Sequence, residues 1–312
     1  MKGLELSRAY FEEYGRDLIE NRMSGYKQYI AAGLVGEGSE CLGFDDEISQ
    51  DHDFGPAFCI WVPRKIYAQA GTALQSAYDS MPAVYRGYTR IMSAQGGGRI
   101  GILPLEDFYI KYTGLDHAPK DNMEWFKIPS GFLATATDGE VFMDNLGKFS
   151  EIRSALKSFY PQDVLRKKLA AKCTLMAQSG QYNYARCMKR SDSQAAYLSC
   201  SDFVKHSMAA IYLLNESYMP YYKWIFKGAE NFSILSDAVK KLKDITVCPD
   251  TSENRIKKEN LIESVAEDVG KELNRRGLTR TTEPFLQAHG EELMRNISDM
   301  RLKNLHIMVD FD

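Results

Sequence analysis

Residues 34–62, LVGEGSECLGFDDEISQDHDFGPAFCIWV, constrain this chain more than any other stretch. A short apolar run, Leu34-Val35, leads into Gly36-Glu37-Gly38-Ser39. Eleven residues separate Ser39 from Asp51-His52-Asp53, and a second apolar run, Ala57 to Val62, follows. The pattern predicts a strand that ends in a tight glycine turn opening a helix, with a carboxylate pair at the start of the next strand. Such a turn leaves backbone N–H groups beside a helix N-terminus, which suits phosphate oxygens. Two aspartates one residue apart on a strand point to one face, so Asp51 and Asp53 are expected to hold one hard cation between them. His52 would point to the opposite face, as a buried, hydrogen-bonded side chain. A phosphate cradle beside a cation-binding pair of acids is the minimum equipment for chemistry on a nucleoside triphosphate.

Around this stretch the hydrophobic pattern changes once. Residues 4–23 carry Phe11, Tyr14 and Leu18 at helical spacing, and 64–80 repeat the pattern with Ile66, Ala70, Leu74 and Ala77. Strands are expected at 28–36, 57–62, 85–92, 100–105 and 140–143, with Gly96-Gly97-Gly98 as a hairpin turn, a short helix from Glu106 and a loose stretch over 114–131. After the turn Asp144-Asn145-Leu146-Gly147 alternation gives way to helical spacing, with helices expected at 149–158, 161–178, 180–189, 192–215, 219–229, 233–244, 253–276 and 283–303. The expected fold class is α+β: a mixed sheet with helices over 1–148, then an all-helical bundle over 149–312. The charge run Arg255-Ile256-Lys257-Lys258-Glu259 reads as a solvated helix face, and Gln181 to Arg186 as a polar-aromatic cluster that either binds a ligand or ties helices together.

Hydrophobic residues at 44% and charged ones at 26% of 312 describe an ordinary soluble protein, and a net charge of −3 argues against a generic nucleic-acid binder. The six cysteines form no C-x-x-C pair and no tight metal-ligand spacing. The N-terminal MKGLELSRAYFEEYG has no apolar signal core, and no stretch approaches a membrane-spanning length. The expected setting is cytoplasmic, with reduced thiols and no membrane partner.

Gly38-Ser39, the spacing and Asp51-x-Asp53 together resemble the signature of the nucleotidyltransferase superfamily. That group includes DNA polymerase β, the aminoglycoside nucleotidyltransferases and the minimal nucleotidyltransferases of toxin–antitoxin pairs. GEGSECLGFDDEISQDHD, GQYNYARC and MPYYKW further resemble bacterial proteins in which a nucleotidyltransferase domain is joined to a domain of unknown function. The resemblance implies transfer of a nucleoside monophosphate, AMP by default, from a nucleoside triphosphate to a hydroxyl acceptor, with pyrophosphate released. Asp51 and Asp53 would hold Mg²⁺, Gly38 and Ser39 the β- and γ-phosphates, and Lys223, in an aromatic setting after Pro220, would add a point charge to the triphosphate. The acceptor is open, a small molecule or a protein being favoured over nucleic acid by the acidic net charge. The superfamily adds a third carboxylate from a later strand. Here that strand reads Arg99-Ile100-Gly101-Ile102-Leu103, with Gly101 where the acid is expected. Glu106, Asp107, Asp45 and Asp46 stand as substitutes, and Asp144 as a structural turn residue. The departure keeps two alternatives open: a nucleotide-binding regulatory protein with little or no turnover, and a metal-dependent phosphohydrolase.

Overall fold

The apolar runs on either side of the glycine bend become neighbouring strands of one mixed sheet. In the computed structural model, which describes residues 1–50, 53–91 and 99–312, the strands are β1 (Ala31–Leu34), β2 (Cys59–Val62), β3 (Val84–Tyr85), β4 (Tyr88–Thr89), β5 (Gly101–Pro104) and β6 (Glu140–Asp144). Four of them form a sheet in the order β5-β2-β1-β6, with β1 antiparallel to both neighbours and β2 parallel to β5. The other two make a small hairpin turned by Arg86 and Gly87, both at positive φ, as a two-residue hairpin loop requires. Among the described residues of the expected 85–92 strand only this short ribbon is found, since Arg86-Gly87 turns the chain back. The triple glycine lies outside the described residues.

Helices cover both faces, which is why the central strand reads CIWV without alternation. Ile60 and Val62 face a core built with Leu6, Tyr10 and Phe11 from the N-terminal helix and Leu74 and Tyr78 from α3. The N-terminal helix begins as α1 (Gly3–Tyr10) and continues through two π-helical turns (Phe11–Gly15, Leu18–Arg22); after α2 (Ser39–Leu42), α3 spans Arg64–Asp79. Trp61 points the other way, stacked on Phe149 at 4.1 Å between ring centres and edge-on to Phe108 at 5.4 Å. Phe108 lies on α4 (Leu105–Thr113).

The stretch expected to be loose, 114–131, carries α5 (Asn122–Lys127) and the first residues of α6 (Ser130–Thr137). Asp121 starts the first by accepting the N–H groups of Met123 and Glu124. Phe149 opens α7 (Lys148–Lys157). Contacts divide the chain into Met1–Pro119 with Phe132–Ser158, and Lys120–Gly131 with Phe159–Asp312. The division therefore differs from the one expected at 148/149. Phe149, Ile152 and Leu156 bury α7 with the sheet, and α5 belongs with the helices.

The second unit is helical throughout its described elements. α8 (Gln162–Met176) runs on through a π-helical stretch (Ala177–Tyr184) into α9 (Ala185–Lys189), beside the long α10 (Ser193–Leu214). A 3-10 turn (Tyr222–Trp224), α11 (Ile225–Gly228), α12 (Ser236–Val247), α13 (Arg255–Arg275), α14 (Gln287–Arg295) and α15 (Met300–Lys303) complete it. The single helix expected over 219–229 is a short 3-10 turn and one helical turn, and that over 283–303 is two helices. Gln181 ties helices together: its Nε2 donates to Glu263 (2.7 Å) and the Pro284 carbonyl (2.9 Å), and its Oε1 accepts the Leu286 N–H. Lys258 corrects the solvated-face expectation, because it is buried and paired with Asp250 at 2.7 Å.

Candidate functional site

Topology decides where the signature residues meet. Because β1 and β2 are antiparallel and β2 and β5 parallel, Gly33 pairs with Cys59 and Cys59 with Gly101. The exit of β1, the approach to β2 and the approach to β5 therefore share one sheet edge. The bend after β1, Asp53 before β2 and Arg99 before β5 converge there.

Arg99 joins the three segments. One guanidinium nitrogen lies 3.3 Å from the Asp53 carboxylate; the other donates to the Glu37 carbonyl at 2.6 Å and sits 3.5 Å from the Glu40 carboxylate. Its own carbonyl accepts the Cys59 thiol at 2.9 Å, and burial pushes that thiol up to about 12, so Cys59 stays a neutral donor. Asp53 is 11% and Glu40 14% exposed, so both acids are largely shielded from water around one cation. Burial raises the Glu40 carboxyl above its ordinary range; its own backbone N–H and the Arg99 charge oppose the rise, and Asp45 and Asp53 add to it.

Gly38 stands at φ +122, a conformation open to glycine, and begins α2, which is a single turn of four residues. A helix this short adds little dipole, so the bend's attraction for anions rests on its N–H groups. An anion already sits there. The Glu40 carboxyl folds back so far that a Cβ on Gly38 would lie 2.5 Å from it. Among the described residues the adjoining cleft is lined by the charged side chains of Glu37, Glu40, Asp53, Arg90, Arg99, Asp107 and Lys111 and by Tyr112, with mostly apolar residues between them; Asp107 is the one third-acid candidate on this wall, and Gly38 and Ser39 are not on it. Lys111 pairs with Glu37 at 2.8 Å across the cleft mouth.

Asp53 departs from the expected geometry. It sits six residues before β2, at φ +51, so strand alternation does not aim it. Gly55 at φ +124 and Pro56 separate it from the strand. Asp51 and His52 lie outside the described residues. Among the described residues no group of three or more His, Cys, Asp and Glu side chains is arranged to hold a metal ion.

The substitutes for a third acid have other partners. Asp45 is buried and accepts the Gly3 N–H at the start of α1 (2.8 Å), and Asp46 accepts Ser49 in the turn before residue 50. Glu106 accepts the Arg64 N–H at the start of α3 (2.7 Å), and Asp107 pairs with the Arg64 side chain. Asp144 accepts the N–H groups of Gly147 and Ser150, capping α7. Gly101 itself is held at φ +87 with a Cβ position 2.7 Å from Gln75 Oε1, which accepts the Ile102 N–H. An acid at this position would be strained. Glu40 and Arg99 are the members sequence reasoning missed. Glu40 directly follows Ser39, and Arg99 is the charged residue leading into the expected strand.

Lys223 is placed in the second unit, on the exposed 3-10 turn, with Nζ 5.0 Å from the centre of the Trp224 ring. All six cysteines are free, and among the described residues no helix is long and apolar enough to cross a membrane. Residues 125–225, about a third of the chain, match a family described as a domain of unknown function (DUF4037). That stretch contains Lys223 and begins well after Gly38, Ser39 and Asp53. No curated protein and no solved structure matches the chain.

Proposed function

We propose that this protein is a Mg²⁺-dependent nucleotidyltransferase that moves a nucleoside monophosphate, AMP by default, from a nucleoside triphosphate to a hydroxyl on a small molecule or protein, releasing pyrophosphate. One observation carries the reading: a single guanidinium, that of Arg99, spans the Asp53 carboxylate and the Glu37 carbonyl of the glycine bend. The acid segment and the phosphate-type bend therefore border one cleft. The site fits a hard cation, since Asp53 and Glu40 present only carboxylate oxygens and already flank a positive group. Asp53, with Asp51 from the same segment, would hold Mg²⁺, which when bound neutralises charge on the triphosphate and orients its α-phosphate. The N–H groups around Gly38 and Ser39 would hold the terminal phosphates, with the Glu40 carboxyl withdrawn from the bend. Arg99, released from Asp53 and Glu40, would turn its fork to phosphate oxygens.

Gly101 favours a second reading, a nucleotide-binding regulatory protein without turnover, because its left-handed backbone and the Gln75 side chain lying where a Cβ would go disfavour the acid that would take the acceptor's proton. One assay separates the readings. The protein is incubated with Mg²⁺ and each of ATP, GTP, CTP and UTP, and pyrophosphate, phosphate and bound nucleotide are measured for wild type, Asp51→Asn and Asp53→Asn. Pyrophosphate release that falls about a hundredfold or more in both variants supports the transferase. Tight binding without release supports the regulatory reading, and release of phosphate alone points to a hydrolase. Lys223→Met forms a separate arm, expected to weaken ATP binding about tenfold, the worth of one charge-assisted contact.

A further inference from the structure

Three lysines of α8 are hidden from water in the second unit. Lys167 and Lys168 are 0% and Lys172 2% exposed. Lys168 and Lys172 are four residues apart, stacked on one helix face where like charges repel. Their counter-charges come from a segment with no helix or strand of its own. Asp310 lies 2.9 Å from both Lys168 and Lys172; Asp312 lies 3.2 Å from Lys168 and 3.6 Å from Lys172. Lys167 has backbone partners instead, the carbonyls of Ile307 (3.1 Å) and Val309 (2.6 Å). Three ammonium groups thus meet two carboxylates.

We propose that Lys167, Lys168 and Lys172 form a binding site for a polyphosphate or phosphate-ester anion, which the carboxylates of Asp310 and Asp312 cover in this structure. Fastening the segment 307–312 to α8 does not by itself call for buried charge, because apolar side chains of similar volume hold as well or better. The surplus positive charge asks for a ligand more negative than two carboxylates. Burial pushes the Lys167 ammonium down to about 8 despite Asp310, with Lys168 and Lys172 adding to the fall. An anion of higher charge would relieve that. The neighbouring His206 offers no further charge, since burial pushes it down to about 4. Phe126 and Tyr160 place their rings 5.6 and 5.3 Å from Lys168 Nζ, which helps keep that ammonium charged in its buried place. The cover is lightly fastened beyond its charges. Phe311 meets Phe126 edge-on at 5.4 Å yet stays 47% exposed, and Asp312 accepts the Ser130 N–H.

Pyrophosphate in EDTA, which removes metal-assisted binding elsewhere, is the probe. It is titrated calorimetrically into wild type and into Asp310→Asn/Asp312→Asn, and hydrogen exchange of residues 305–312 is followed in wild type. The double variant is expected to bind about tenfold more tightly, because its internal competitor has lost its charge. Adding Lys168→Met to that variant, where no carboxylate is left unpaired, removes the gain. In wild type, pyrophosphate is expected to speed exchange in 305–312. Unchanged exchange overturns the proposal, as does a folded double variant with no gain in affinity or binding indifferent to Lys168→Met. Should the double variant not fold, the wild-type exchange result decides.

Discussion

Asp138 gives the most quantitative expectation. It directly follows α6, where burial pushes its carboxyl up from 3.8 to about 7 against the opposing charges of Arg153 and Lys157. Arg153 compensates incompletely because its guanidinium donates to the carbonyls of Thr137, Asp138 and Gly139 at 2.6, 3.2 and 2.7 Å. A rise of roughly three units, at about 1.4 kcal/mol per unit, sets a ceiling of about 4 kcal/mol on the cost of ionising this group in the fold. Below the unfolded value the carboxyl is protonated in both states and there is no penalty. Between the unfolded value and about 7 the unfolded chain releases its proton while the folded chain keeps it, so stability falls as pH rises. Above that window the penalty is full and constant. Asp138→Asn fixes the neutral form. Its own buried amide costs about 1–3 kcal/mol at every pH, so the test is how the difference from wild type changes. Urea unfolding, followed by Trp61 fluorescence in a Trp125→Phe/Trp224→Phe background, is measured from about pH 5 to 8. The variant should gain about 2–3 kcal/mol on wild type across that range, because pH 5 already lies above the unfolded value and part of the penalty is present there. A difference that stays flat would refute the buried-carboxylate argument.

Other substitutions test the packing. Trp61→Ala removes the indole stacked on Phe149 and should cost about 3–5 kcal/mol in denaturant unfolding of the first unit. Gly101→Asp, which restores an acid where the resemblance places one, should destabilise rather than activate. The left-handed backbone costs about 1–2 kcal/mol, and the side chain displaces Gln75 from the Ile102 N–H. Thermal unfolding checks the loss, and a Gln75→Ala partner should recover part of it. Asp250→Asn strands the buried Lys258 ammonium and should cost about 3–5 kcal/mol, whereas a solvated lysine would cost almost nothing.

How much of this was legible in the sequence depends on the range of the forces involved. Strands β1, β2 and β6 and helix α3 stand close to their expected positions because hydrophobic period and local breakers set them. The missed helices of 120–137 had a local signal in Asp121, an N-cap whose carboxylate accepts two N–H groups. The expected alternation of Asp51 and Asp53 had a local counter-signal too. Gly55-Pro56 is a breaker pair, and it keeps Asp53 off the strand that would have aimed it. Arg99 belongs to another class. Its partners Asp53 and Glu37 are 46 and 62 residues away in the chain, and only the strand order brings them together. Charge pairing of this kind leaves no periodic trace, which is also why Lys258 read as solvent-facing.

That distinction bears on the chemistry. Arg99, held between Asp53 and Glu40, keeps two largely buried carboxylates tolerable without metal, so on the proposed function it would compete with Mg²⁺ for one position. Metal affinity should therefore be weakest in the free protein and rise when a triphosphate offers the guanidinium new partners. Arg99→Met should then show Mn²⁺ binding without nucleotide that is at least about tenfold tighter than in wild type, read by the electron paramagnetic resonance of the free ion. Equal affinities would mean that Asp53 and Glu40 are structural partners of Arg99 and that the cation site lies elsewhere.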